Sequence, residues 1–97
     1  PLLLPLPAGL TELFEKGRYQ AAQNEARAVL AREPGNLEAK ALLEDAEVAI
    51  VVETRLKSAQ AALKRGDRDS ALAEVRAGLA ANPSDARLMA LFRELTQ

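Results

Sequence analysis

Few side chains in this chain could carry out a reaction. The aliphatic hydroxyls are Thr11, Thr54, Thr96, Ser58, Ser70 and Ser84, and the chain has no histidine to take a proton from any of them. No lysine stands three residues after a serine, so the serine–lysine arrangement is missing too. Cysteine is also absent, which removes thiolate nucleophiles, disulfides and the usual zinc ligand sets. Carboxylates are what remains for a cation, and Glu44, Asp45 and Glu47 form the densest group. Two of them share a helix face at a spacing of three, but helical di-iron sites need Glu-x-x-His pairs. That cluster is read as a solvated face partly balanced by Lys40. Gly66-Asp67-Arg68-Asp69 opens like a calcium loop but lacks the further ligands such a loop needs, so it is read as a turn. No catalysis, cofactor or metal is expected.

The elements that must present whatever surface remains are helices. The 97 residues include 20 alanines and 17 leucines but only six valines and isoleucines together, a balance that favours helix over sheet. The net charge of −1 hides a split: residues 1–53 hold five basic and nine acidic side chains, and residues 54–97 hold eight basic and five acidic. With three aromatic rings and no dense basic stripe, nucleic acid is not an expected partner. No apolar run approaches the roughly 18 residues of a membrane span. Residues 1–7, Pro-Leu-Leu-Leu-Pro-Leu-Pro, are read as the tail of a linker from a longer protein. Nine arginines against four lysines in so alanine-rich a chain suggest a bacterial origin, and a cytoplasmic location is expected.

Turn formers stand at Gly17-Arg18-Tyr19, Pro34-Gly35-Asn36, Gly66-Asp67 and Asn82-Pro83-Ser84-Asp85. Between them apolar residues recur at helical spacing: Tyr19, Ala22, Ala26, Val29 and Leu30, then Leu72, Val75 and Leu79, then Leu88, Leu91, Phe92 and Leu95. Asn36, Asp67 or Asp69, and Ser84 or Asp85 are helix-start residues. The pattern predicts an all-α chain with helices near 8–16, 19–32, 37–65, 68–81 and 85–96. Residues 36–65 contain no glycine or proline, and a helix of about 29 residues would run about 43 Å. Leu42, Ala46, Ala49, Val52, Leu56, Ala59 and Leu63 form its apolar stripe, and Val48-Ala49-Ile50-Val51-Val52 is apolar on every side. The middle of this helix is therefore expected to be the most buried part of the protein, or a contact with another chain. A break near Val51-Val52-Glu53, giving six short helices, is the competing arrangement, although no turn former stands there.

Shifting the chain by 49 residues places Gly17, Ala22, Leu30 and Pro34 on Gly66, Ala71, Leu79 and Pro83. The glycine suits a tight inter-helix turn, the alanine a close helix approach, and the proline a stop. In Gly17-Arg18-Tyr19-Gln20-Ala21-Ala22 and its second copy the spacing resembles the later half of a tetratricopeptide repeat, a helical hairpin of about 34 residues. The resemblance covers roughly 10–36 and 52–85, with 86–97 similar to the helix that often ends such arrays. It departs from the family at Arg68 and Gly78, and Leu6 and Arg55 replace the first-helix aromatic. The period exceeds the family's by 15 residues, Leu37 to Val51, a length that rotates a helix by about 60° beyond whole turns. One long helix is therefore expected, its first half packed on 19–32 and its second on 68–81. The organisation expected is one tetratricopeptide-like domain over 8–97: a hairpin over 8–35, the long helix over 36–65, and a hairpin with capping helix over 66–97.

The resemblance implies an α–α superhelix that binds a peptide or partner protein in a groove lined by the first helix of each pair. The positions that match are Thr11, Phe14, Glu15, Glu53, Leu56, Gln60, Leu63 and Lys64. Phe14, Leu56 and Leu63 are read first as core residues and only second as groove residues. Two alternatives stay open: a passive spacer, or self-assembly into a homodimer through the long helix, driven by the acidic and basic halves.

Overall fold

A computed structural model describes residues 8–97, so the linker reading of 1–7 and the position of Leu6 lie outside the described residues. The described chain is all-α, with α1 (Ala8–Glu15), α2 (Tyr19–Arg32), α3 (Leu37–Lys64), α4 (Arg68–Ala81) and α5 (Ala86–Leu95). Among the described residues there is no strand. α3 runs unbroken through Val51-Val52-Glu53, so the six-helix alternative is not adopted.

Local chemistry sets the ends. Gly17 and Gly66 both take φ of +77°, a left-handed conformation that glycine adopts without strain. Each closes the preceding helix in a Schellman motif: Arg18 N–H donates to the Leu13 carbonyl and Asp67 N–H to the Ala62 carbonyl, both at 2.9 Å. At the start of α3, Asn36 Oδ1 accepts from Ala39 N–H at 3.0 Å, and Asp85 Oδ1 accepts from Leu88 N–H at 3.0 Å at the start of α5. These pairs of bonds recur 49 residues apart.

The chain divides into two compact units, Pro1–Ile50 and Val51–Gln97. The boundary lies inside α3. In the first unit the α1–α2 hairpin and the first half of α3 close a core of Leu10, Ala22, Ala26, Val29 and Ala39, with Leu42 and Leu43 against it. In the second unit the other half of α3 supplies Val52, Leu56 and Ala59, which pack with Val75 and Leu88 of α4 and α5. Of the 15 residues by which the period exceeds a tetratricopeptide repeat, all but Val51 lie in the first unit, and their start, 37–46, is the counterpart of α5 in the 49-residue register.

Equivalent core positions exchange size. Val29 corresponds to Gly78, which removes three side-chain carbons, and Ala39 corresponds to Leu88, which adds three. A Cβ on Gly78 would stand 2.6 Å from Leu88 Cδ1 and 3.3 Å from Arg55 Cβ. The missing side chain of Gly78 is the space Leu88 fills. Ala22 and Ala71, the equivalent small residues of the two units, are both fully buried.

The expectation that the middle of α3 is the most buried part of the protein is corrected by the structure. Val48 and Val51 are 37% and 40% exposed, Ala49 and Ile50 half-buried, and only Val52 fully buried.

Gly78→Val should destabilise the second unit by about 2–4 kcal/mol, from overpacking against Leu88 and Arg55. Leu88→Ala alone should cost about 2–5 kcal/mol as a cavity. In urea denaturation the double variant should cost less than the sum by at least about 1 kcal/mol, because it restores the valine–alanine pairing of the first unit. Additive costs would contradict the size exchange.

Candidate interaction surfaces

In the first unit, the α1 residues singled out by sequence divide. Thr11 and Glu15 are exposed, whereas Phe14 is half-buried against the core and meets Tyr19 edge-on, ring centroids 5.3 Å apart. The opposite side of α1 borders a cleft of about 420 Å³. Gly9, Leu10 and Leu13 supply its apolar wall, and the charged groups are Glu12, Lys16, Arg18 and Glu25. Lys16 Nζ is held by Glu12 Oε1 at 2.7 Å, one helical turn away. Sequence reasoning missed this cleft. Its members on α1 recur at helical spacing, but Glu25 comes from α2, and nothing in the residue pattern joins the two.

In the second unit Leu56 is 7% exposed and belongs to the core, so it offers no binding surface. Leu63 is half-buried, and Gln60 and Lys64 are exposed. Glu53 is half-buried and accepts from Arg87 at 2.8 Å, tying α3 to α5. Arg87 also reaches Asp85 at 3.3 Å, and these two carboxylates, Glu53 first, hold its proton more firmly than usual. Arg55 donates to Glu74 at 3.0 Å, tying α3 to α4. The second-unit positions thus form a polar edge along α3, part of it already used to fasten neighbouring helices. Such exposed pairs contribute about 0–1 kcal/mol each and mainly set register.

The helix caps are the groups whose protonation the fold perturbs. Asp67 accepts from Ser70 Oγ at 2.7 Å and from Ser70 N–H at 3.0 Å, and these bonds, the hydroxyl first, lower its pKa. At Asp85 burial acts to raise the pKa, but the Leu88 N–H bond and then Arg87 outweigh it, and the net shift is downward. Both residues cap helices of the second unit. In the first, α2 starts at Arg18 with no side-chain cap and α3 starts at Asn36, which does not titrate.

Among the described residues no group of His, Cys, Asp or Glu is placed to hold a metal ion, and no helix is long and apolar enough to cross a membrane. No known protein family, curated protein or solved structure matches this chain.

A depressed carboxylate pKa gives stability that is complete above the unfolded-state value and is lost as pH falls through the folded-state value. Below about pH 4, therefore, amides of α4 and α5 should lose protection from exchange before those of α2. The Asp67→Asn/Asp85→Asn variant keeps both caps without the charge and should flatten this dependence. Equal acid sensitivity of both units, unchanged in that variant, would contradict the assignment.

Proposed function

We propose that the chain is a non-catalytic, tetratricopeptide-like module that binds a peptide or partner protein. The reading rests on the 49-residue repeat and its glycine turns, and on the shortage of reactive side chains in the sequence. The observation that carries it furthest is the cleft beside α1, where exposed Gly9 and half-buried Leu13 border charges of both signs. An apolar side chain of a peptide would sit against Leu13, while Arg18 and Glu25 would meet its polar neighbours. The exposed first-helix positions, Thr11 and Glu15 in the first unit and, separately, Gln60 and Lys64 in the second, are the other candidates for this role.

Selection from a displayed peptide library, followed by calorimetry, tests the reading. The leading ligands should bind the native chain and lose at least about tenfold in affinity, about 1.4 kcal/mol, in Arg18→Glu/Glu25→Lys. They should keep their affinity in Gln60→Ala/Lys64→Ala. The reverse pattern would place binding on the first-helix surface and remove the cleft. A chain that selects no peptide, or ligands unaffected by either variant, would overturn the proposal.

A further inference from the structure

The start of α3, residues 37–46, and the whole of α5 are counterparts in the repeat, yet their outer faces carry opposite chemistry. In the first unit Leu37, Ala41 and Glu44 are exposed, and Leu37, at 69%, is the most open large apolar side chain among the described residues. At about 100° per residue these three fall within about 60° of one another, on the side of the helix opposite buried Ala39 and Ala46. In the second unit Ala86, Ala90 and Arg93 are exposed at the matching positions of α5, opposite buried Leu88. Each face lies within a single unit.

Laid parallel on each other, the two faces are complementary level by level. Leu37 covers the small Ala86, Ala41 meets Ala90, and Glu44 meets Arg93. Beside the stripe Lys40 reaches Glu94, at the offset where edge charges pair in a parallel coiled coil. Lys40, Glu44, Arg93 and Glu94 are all exposed, and none of them is in an ion pair among the described residues. Reversing one helix would set Glu44 on Ala90 and Glu38 beside Glu94. Parallel pairing of like faces would set Glu44 on Glu44, or Arg93 on Arg93. Of these arrangements only the unlike, parallel one satisfies both charge pairs. The wider charge agrees, since the N-terminal half of the sequence is acidic and the C-terminal half basic.

We propose that the chain self-associates head to tail, the face of Leu37, Ala41 and Glu44 in one copy lying parallel on the face of Ala86, Ala90 and Arg93 in another. Each copy carries one face of each kind, so the contact is heterologous. It does not rest on the peptide-binding reading, since none of these residues borders the α1 cleft. The contact is short. A handful of residues a side is far fewer than the roughly 20–30 of a standard interface, so association should be reversible, with Kd of about 0.1–1 mM.

Sedimentation equilibrium of the full chain from about 10 μM to 1 mM at low salt should show a mass rising above the monomer, and high salt should reduce the rise. Glu44→Arg and Arg93→Glu should each raise Kd at least about tenfold, with unchanged helical circular dichroism showing that the fold persists. Mixed in equal amounts, the two variants should associate again, because each supplies the face that the other needs. The chain carrying both changes should recover association by itself. The faces have their own readout, because the native chain lacks cysteine. Ala41→Cys mixed with Ala90→Cys should oxidise to the mixed disulfide above the statistical half. A monomer throughout at low salt, no recovery in the mixture, or a statistical disulfide mixture would each overturn the proposal.

Discussion

Nothing between Asn36 and Gly66 can stop a helix, and this one constraint organises the molecule. With no glycine or proline to break it, α3 continues through the point where one core ends and the next begins. Its first half closes a core with α1 and α2, and its second half closes another with α4 and α5. Neighbouring units are ordinarily joined by a loop, whereas these two share a backbone in regular hydrogen bonding. The residues around the junction keep helical spacing whatever lies on either side.

Small side chains let so short a chain build two cores. Alanines at 22, 26, 39, 59 and 71 are fully buried, so each core depends on close backbone approach more than on large apolar side chains. Such cores tolerate little change of volume in either direction. Gly78 and Leu88 show how the second unit keeps the volume of the first with different residues: the glycine opens the space and the leucine takes it. Val48 and Val51 of α3 stay exposed.

Much of this was readable in the sequence, for local reasons. Glycine turns, capping residues and the absence of breakers are chemistry within one or two helical turns, and the five expected helices match the observed ones to within a residue or so at each end. The register of the repeat was equally legible. What the sequence could not show depends on pairs of distant residues. Leu56 sits on the first-helix stripe, and helical spacing alone cannot say whether a stripe faces a groove or a core; α4 and α5 cover it. The apolar middle of α3 read either as deeply buried or as a contact with another chain, and the exposure of Val48 and Val51 removes the first of these. The cleft at α1 needs Glu25, which only the hairpin brings alongside.

The shared helix is tested most directly by residue-resolved amide exchange across α3. A continuous helix predicts that amides 50–54 exchange as slowly as those of the turns on either side, with no minimum of protection at the junction. Fast exchange confined to 50–54, with protected segments before and after, would mean two units joined by a hinge and would contradict a single helix common to both cores.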